Sequence, residues 1–493
     1  MKKLGLIALG AVLLAAAGGF AQAATDEGKR FTIHGEVSFR GEVWNNMFDF
    51  TDSADDPTTC DGTVFGGFSQ GDHCNDSFDV FPFRVRLAAH GDLGHDISVH
   101  GEFQSHGIAG GGPDGTLSEP TNPFFGDGSE DVFNSGVSLY QGWVKITDVG
   151  STVLDLTFGR QEIQFDNSLL YGNEEFYNGR SFDGVMAGWD WDSWGIHGFW
   201  ARITDFSVAG PTLDPFTDGD NEAAGAHAMF DLGRDGRHHV SGYVFYNEEN
   251  SVALAASDDM TQLYTFGGVW GWDRDPKESG WDFSGELALQ FGDWSCELNP
   301  TSCTGTSDES ISVSSWVVEG WGGYTWHAAN MENRVHGYLL MASGDEDPND
   351  DKWEAFEPLY GDVHDRLGYA DLFVPHNLIA LSGGWTGTFH EKHSIEASLW
   401  MFERAEEDDS VDSTVGGFTL AEAGTDKELG NELDVVYNYD MTANFAFLAG
   451  IAMFDPGDGI TQTITDPAFP NGDPDADGDE IGWRIITRAR ARW

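Results

Sequence analysis

The sequence predicts an all-β fold, a single antiparallel transmembrane β-barrel. Three observations predict it: an export signal at the start of the chain, a period of two in apolar residues that recurs along the chain, and a final segment with one apolar and one basic face. No apolar run of about 18 residues follows Ala24, so the mature chain would cross a membrane as strands and not as helices.

The first 23 residues have the parts of a secretory signal peptide. Lys2 and Lys3 are basic, residues 4–17 are apolar, and Ala21-Gln22-Ala23 is a small-x-small cleavage motif. We expect cleavage near Ala23-Ala24, which leaves residues 24–493 as the mature barrel. A retained membrane anchor is the alternative, and the short apolar core argues against it.

The final segment, residues 482–493, alternates in character. Alternate side chains of a strand point to opposite faces. One face is apolar with Trp483 and Trp493 at its ends, and the other carries Arg484, Arg488 and Arg490. A strand between lipid and a wet lumen needs these two faces. An amphipathic edge strand of a soluble sheet is the alternative.

The same alternation recurs in other segments, such as residues 83–90, 97–104 and 281–291. Some neighbouring segments are joined by short Gly/Asn/Asp turns, and others by long Asp/Gly/Pro-rich stretches. This predicts short periplasmic turns and long acidic extracellular loops, with about 16 to 18 strands in the mature chain. The 18 Trp and 35 Phe residues would supply aromatic girdles at the two membrane interfaces.

The chain is strongly acidic, with 83 Asp and Glu against 25 Lys and Arg. This balance argues against nucleic acid as a partner, because phosphate binding needs a basic surface. Many arginines nevertheless lie on the polar face of predicted strands, beside acidic residues such as Glu432 and Asp434. We therefore predict a mixed-charge lumen with an arginine stripe that sets ion preference. The arginines are Arg40, Arg84, Arg86, Arg334, Arg484, Arg488 and Arg490.

The four cysteines form two close pairs in segments of loop composition. Cys60 with Cys74 and Cys296 with Cys303 are predicted to be local disulfides in extracellular loops. Zinc is the alternative, but the spacing matches no zinc pattern.

One acidic loop has oxygen-bearing residues at alternate positions before Gly478, as calcium loops do: Asp473, Asp475, Asp477 and Asp479. Arg484 occupies the twelfth position, so this is no EF-hand. Calcium here is a prediction beside the alternative of a solvated acidic loop. We expect no other cofactor.

Catalytic patterns are weak, and we expect the protein not to be an enzyme. Residues 67–71 spell G-x-S-x-G and residues 110–115 fit a dinucleotide glycine pattern, but neither has the strand and helix that the chemistry needs. A secreted, soluble β-rich glycan-binding protein or hydrolase, with tryptophans as sugar platforms, stays open as the alternative class.

Several segments, in order and spacing, resemble the alginate-export family of outer-membrane barrels. They are residues 156–161, 171–172, 177–185, 342–345, 356–361, 368–371, 377–378, 429–434 and 454–457. The resemblance implies a monomeric barrel of about 18 strands, and it places Arg160, Arg180 and Asp183 in the constriction. The alginate exporter has a strongly basic lumen that conducts an anionic polysaccharide, whereas this chain has few lysines and both signs at lumen parity.

The sequence therefore predicts an outer-membrane channel that passes small solutes, ions or a glycan by diffusion. The expected partners are outer-membrane lipids, the barrel-assembly machinery, which would read the aromatic C-terminus, and a small solute or polysaccharide. Replacement of Arg84 and Arg86 by neutral residues is expected to shift ion preference toward cations.

Overall fold

The computed structural model describes residues 24–25, 29–47, 64–65, 68–69, 78–108, 137–204, 221–232, 237–250, 260–275, 277–296, 310–328, 330–348, 350–362, 364, 366–412, 419–465 and 479–493. The predicted signal peptide, Cys60, Cys74, Cys303 and residues 473–477 lie outside this part of the chain. Cys296 is disulfide-bonded, and Asp479 is exposed.

Eighteen long antiparallel strands form the wall of the barrel in the described part of the chain. They are β1 Lys29–Asn45, β2 Pro82–Gly94, β3 Ile97–Ile108, β4 Ser138–Ile146, β5 Leu154–Gln161, β6 Phe182–Trp191, β7 Trp194–Thr204, β8 Asn221–Leu232, β9 His238–Asn250, β10 Met260–Trp272, β11 Gly280–Ser295, β12 Ser310–Ala328, β13 Met331–Ala342, β14 Leu378–Phe389, β15 His393–Arg404, β16 Glu428–Thr442, β17 Phe445–Pro456 and β18 Gly482–Arg492.

The sheet closes on itself. Each strand pairs with the next, and β18 returns to β1, where Ala489 lies opposite Phe39. The predicted single barrel is thereby confirmed, with 18 strands. Beyond β18, Trp493 exchanges both backbone hydrogen bonds with Gly35, each 3.1 Å long. A Cβ at Gly35 would overlap the Trp493 indole, so a residue without a side chain is needed at this seam.

The connections alternate in length as predicted. Short turns follow the even-numbered strands, and long connections, numbered L1 to L9 in chain order, follow the odd-numbered strands. Two of the long connections matter below: L3 (residues 162–181) and L7 (residues 343–377). L9 contains the helix α1, Asp458–Thr465. No helix in the described ranges is long and apolar enough to cross a membrane.

The apolar surface faces outward and the main buried core lies inside the ring. Leu87, Leu399 and Trp281 are exposed on the outer face, as lipid contact requires. The largest buried cluster joins strand residues such as Phe245 and Phe402 to residues of L3 and L7, including Tyr171, Phe356 and Phe373. A barrel of 18 strands is too wide for its wall side chains to fill, and these two loops fill part of the interior.

Candidate functional site: a lumen narrowed by two inward loops

L3 and L7 are bonded to each other inside the barrel. The backbone N–H of Gly172 donates to the Tyr360 carbonyl at 2.9 Å, and that of Tyr360 donates to Leu170 at 2.9 Å. The N–H of Asp362 donates to Ser168 at 2.9 Å. This short parallel pairing satisfies backbone groups that would otherwise be buried without partners.

Arg180 and Arg366 reinforce this pairing from either loop. Arg180 in L3 donates to the Tyr360 carbonyl at 2.5 Å, and Arg366 in L7 donates to the Asn167 carbonyl at 2.6 Å. The two loops therefore act as one unit across the lumen.

One side of the lumen is rich in arginine. We call it the arginine wall, and it comprises the inward side chains of β18, β1 and β2: Arg40, Arg84, Arg86, Arg484, Arg488, Arg490 and Arg492. Arg40, Arg84, Arg86 and Arg484 are buried. Six of these seven arginines are among the lining residues predicted from the sequence, and Arg492 is the addition.

The arginine wall holds L3 chiefly through Glu175. Arg84 donates to Glu175 at 2.9 Å and Arg86 at 2.7 Å, and Arg492 reaches the same carboxylate at 2.9 Å. Arg84 also donates to the Tyr177 carbonyl at 2.8 Å. These charge-assisted bonds draw L3 against β2 and β18.

Gly179 allows this approach. Its φ is +84°, a left-handed conformation that side-chain-bearing residues rarely adopt. A Cβ there would overlap the Arg86 guanidinium and the Tyr140 hydroxyl.

Arg484 fastens L7 to the same wall. Its guanidinium is fully buried and lies 2.5 Å from Asp371 of L7 and 2.7 Å from Glu42 of β1. It also lies over the Trp44 ring at 4.0 Å. Asp371 accepts further hydrogen bonds from Tyr177 of L3 and from His364 at 2.8 Å, so both loops meet at this one carboxylate.

The opposite side of the lumen carries carboxylates. Glu286 on β11 and Glu319 on β12 are cross-strand neighbours, half-way round the barrel from β1, and we call them the carboxylate wall. Glu286 accepts hydrogen bonds from Tyr243 at 2.6 Å and from Asn167 of L3 at 2.8 Å. Glu319 pairs with Arg366 of L7. The same two loops therefore bridge both walls.

A third contact lies on β16, where Glu432 and Asp434 are both buried. Glu432 accepts the Ala370 N–H at 2.8 Å, and Asp434 accepts the Tyr369 N–H at 3.3 Å. Both carboxylates therefore face the lumen at the position predicted from parity, and they hold the backbone of L7.

The other predicted lining residues lie partly inside the ring and partly on its outer face. Arg180 belongs to the paired loops, and Arg334 faces inward, where it forms an ion pair with Asp282. Arg160 and Asp183 do not line the lumen. They form an ion pair with each other at 2.5 Å. Both lie on the outer face of β5 and β6, which also carries the exposed side chain of Phe158. The strand alternation places them there, because Phe182, next to Asp183, points inward.

The loop carboxylates are charged at neutral pH. Burial opposes ionisation of Glu175, but Arg84 and Arg86 outweigh it and hold its pKa below the usual range. Burial likewise opposes ionisation of Asp371, and His364 and Arg484 overcome it, so its pKa is lowered as well. Tyr177 stays neutral, because burial and Asp371 raise its pKa. The clamp at the arginine wall is thus ionic under ordinary conditions.

A cavity of about 270 Å³ lies beside the arginine wall, next to the C-terminal residue. Arg86, Arg492 and His34 line it together with Glu36, Glu102 and Glu175. The cavity therefore has both charge signs in its lining.

In the described part of the chain, no three His, Cys, Asp or Glu side chains are gathered as a metal site.

Comparison with known proteins decides the family. The sequence profile described as Alginate export matches residues 82–466, which is more than half of the chain. The protein belongs to the alginate-export family. No curated protein matches the sequence.

Solved structures support the fold of this family member. OpdL of Pseudomonas aeruginosa is 8% identical with a TM-score of 0.53, over 94% of this chain and 98% of that one. OccAB1 of Acinetobacter baumannii is 11% identical with a TM-score of 0.52, over 93% and 96%. OpdK of Pseudomonas aeruginosa, solved with vanillate, is 10% identical with a TM-score of 0.51, over 94% and 99%.

This alginate-export family protein is an outer-membrane channel, and the soluble alternative has no support. Most of the segments that carry the sequence resemblance lie in or against L3 and L7. Residues 171–172 and 177–181 are in L3, residues 356–361 and 368–371 are in L7, and Glu432 and Asp434 bind L7.

Glu175, Asp371 and Arg366 were not among the lining residues predicted from the sequence. The sequence indicates Asp371 and its neighbours only as one of the segments that resemble the family.

Proposed function

We propose that this protein is a passive channel for small anionic solutes, and that L3 and L7 narrow it too far for a polysaccharide chain while they stay docked. The observation that carries the proposal is the double attachment of the two loops. They are hydrogen-bonded to each other and to both walls. Wide release of such a unit would require several buried charged contacts to break together.

The proposed anion preference comes from the charge excess of the arginine wall. Its seven guanidinium groups meet five carboxylates, Glu36, Glu42, Glu102, Glu175 and Asp371, which leaves two positive charges. Arg488 lies over the Phe176 ring at 4.8 Å, and Arg490 is 3.8 Å from Glu175. These two are the least compensated arginines of the wall, and charges that line a narrow channel set its ion preference.

Planar-bilayer recording under a salt gradient tests the proposal. We expect an anion-selective reversal potential for the wild type and a shift toward cations for the double variant Arg488→Gln/Arg490→Gln, with the permeability ratio changed by about twofold or more. The double variant Arg334→Gln/Asp282→Asn is the matched control, because it removes both members of an ion pair and leaves the net charge of the lumen unchanged. Cation selectivity in the wild type would refute the anion preference.

Block of the single-channel current by added solutes tests which size and charge of solute the channel accepts. Vanillate, the molecule named with OpdK, is a suitable small carboxylate, and vanillyl alcohol is its neutral counterpart. We expect vanillate to reduce single-channel current at lower concentration than the alcohol does. Free passage of an alginate oligosaccharide through the wild-type channel would contradict the proposed narrowing.

We also propose that the mature chain begins near Ala24 and is a monomer, placed in the outer membrane by barrel-assembly machinery that reads Trp493. N-terminal sequencing and light scattering of the detergent-solubilised protein check the first two points. Deletion of Trp493 should lower the amount of folded barrel in outer-membrane fractions, measured by heat-modifiable mobility on gels.

A further inference from the structure

The outside of the barrel carries a row of charged side chains near the end of the strands that leads into the long connections. We call it the outer charged row, and it follows the cross-strand register of β5, β6, β7 and β8: Arg160, Asp183, Arg202 and Glu222. Their neighbours Ala201 and Ala223 are buried inside the ring. Because successive side chains of a strand point to opposite faces, the outer charged row faces the membrane and not the lumen.

The next row of outward residues shows at what depth the charges lie. Two residues along each strand, toward the short turns, the outward positions are apolar or aromatic: Phe158, Val185, Trp200, Ala224, Tyr246 and Tyr264 on β5 to β10. Aromatic side chains collect where the hydrocarbon meets the headgroups. The long connections of an outer-membrane barrel are extracellular. The outer charged row therefore lies among the headgroups of the outer leaflet.

Arg160 is held in a fixed orientation with hydrogen-bond donors to spare. Its Nε and Nη2 donate to the two carboxylate oxygens of Asp183 at 2.9 and 2.5 Å, and its Nη1 donates to the Leu139 carbonyl at 3.1 Å. A guanidinium group has five N–H donors, so these three bonds leave two of them for a ligand. The side chain is 40% exposed, which gives a ligand access to them.

A second arginine lies on the other side of Asp183, next to an exposed indole. Arg202 is the cross-strand neighbour of Asp183 on β7, and it donates to Glu222 at 2.9 Å. The indole N–H of Trp200 donates to the same carboxylate at 3.1 Å, and the Arg202 guanidinium is 5.9 Å from the centre of the Trp200 ring. Two oriented arginines thus lie directly above an aromatic ring that is 42% exposed.

The rest of this rim disfavours an anion. Beyond β8 the same cross-strand register continues through Glu248, Gln262 and Asp293. In the barrel strands that the structure describes, Arg160 and Arg202 are the outward-facing cations at this end. An anionic headgroup is therefore expected at β5 to β7 and not elsewhere on the described rim.

We propose that the outer face of β5 to β7 binds the phosphorylated sugar headgroup of an outer-leaflet glycolipid. The planar guanidinium groups of Arg160 and Arg202 match the geometry of a phosphate, which accepts their N–H groups. The apolar face of a sugar ring packs on Trp200, and the acyl chains lie along the apolar outer face that begins at Phe158. Since Arg160 and Asp183 are at the two ends of L3, the lipid contacts the base of that loop from outside the ring.

Native mass spectrometry of the detergent-solubilised mature protein tests the proposal, with diphosphoryl lipid A as the probe. We expect the double variant Arg160→Gln/Arg202→Gln to raise the apparent Kd for this lipid at least about tenfold, because charge-assisted bonds to phosphate are lost. Arg237→Gln/Arg274→Gln is the matched control. It removes two arginines at the opposite rim, beside the short turns that follow β8 and β10, and its affinity for lipid A should equal that of the wild type.

Two further lipids identify the headgroup chemistry. Dephosphorylated lipid A should bind the wild type at least about tenfold more weakly than diphosphoryl lipid A does, and the double variant should bind both equally. Phosphatidylglycerol carries a phosphate but no sugar, so it should bind the wild type more weakly than diphosphoryl lipid A. Trp200→Leu should reduce that difference, because it removes the ring on which the sugar packs.

Four results would overturn the proposal. They are equal binding of phosphorylated and dephosphorylated lipid A to the wild type, full lipid A affinity in the double variant, phosphatidylglycerol binding as tight as that of lipid A, and a lipid-free dimer that the double variant abolishes. The third result would assign the surface to a phospholipid, and the fourth to a second copy of this chain. The comparison of lipids on the wild type needs no variant, and gel mobility with and without heating verifies that each variant is a folded barrel.

Discussion

The arginine wall and the carboxylate wall hold the same two loops with opposite chemistry. At the arginine wall the barrel supplies hydrogen-bond donors. The acceptors in L3 and L7 are Glu175, Asp371 and backbone carbonyls. At the carboxylate wall the barrel supplies hydrogen-bond acceptors, and the donors in the loops are Asn167 and Arg366. The loops are therefore matched in charge to each side, which fixes their orientation across the lumen.

The two walls also differ in how far their charges are balanced. The arginine wall keeps a positive excess beside a cavity. At the carboxylate wall, Arg366 pairs with Glu319, while neutral donors satisfy Glu286. Under the proposed function, the arginine wall acts on solutes and the carboxylate wall mainly positions the loops. The following variants test this difference.

The largest effect is expected for Arg484→Met at the arginine wall. It leaves Glu42 and Asp371 buried without their cation, so the free energy of unfolding should fall by about 3–5 kcal/mol. Denaturant unfolding in lipid–detergent micelles measures it. Arg488→Met is the matched control on the same strand, since Arg488 contacts the Phe176 ring and not a carboxylate at ion-pair distance in the described structure. Equal losses in the two variants would contradict the clamp.

A smaller effect is expected for Glu319→Gln at the carboxylate wall. The amide oxygen can still accept from Arg366, and repulsion between Glu319 and its neighbour Glu286 is relieved. We expect a loss of about 1–3 kcal/mol in the free energy of unfolding, as for one weakened hydrogen bond to a charged group. Anion preference in bilayers should stay close to that of the wild type. A loss larger than that of Arg484→Met would reverse the ranking of the walls.

Tyr177→Phe and Tyr243→Phe compare one hydrogen bond at each wall. The first removes the donor to Asp371, and the second removes the donor to Glu286 at 2.6 Å. Each should lower the free energy of unfolding by about 1–2 kcal/mol. Tyr177→Phe should also increase proteolysis of L7, because its partner lies in that loop. Proteolysis of L7 that rises equally in both variants would show that the contact at Asp371 has no special role.

The smallest effect is expected from pH over the neutral range. The pKa values of Glu175 and Asp371 are lowered from 4.5 and 3.8. Their contribution to stability is therefore present above those unfolded-state values and is lost as pH falls below them. Single-channel conductance should be constant from about pH 8 to 5 and should change only below about pH 4. A transition near pH 6 would mean that the strand carboxylates Glu432 and Asp434 control the docking of L7 more than Asp371 does.

Local pattern was sufficient to predict the strands and their sidedness. Apolar and polar residues alternate along β2, β3, β11 and β18, and successive side chains of a strand point to opposite faces. The order of residues along the chain is therefore enough to identify the inner and outer faces. Arg84, Arg86 and Arg484, which the sequence assigns to the polar face, are buried inside the ring. The resemblance alone placed Arg160 and Asp183 in the constriction, and the strand register overrides it.

The sequence by itself determined the barrel, its alternating connection lengths and the arginine-bearing inner face of the final strand, because these follow from short-range alternation. Only the tertiary structure decided that L3 and L7 enter the lumen and that Tyr177 and Arg484 meet at Asp371. These contacts join residues that are distant in the chain, and they arise because a closed ring leaves an interior that its own wall cannot fill.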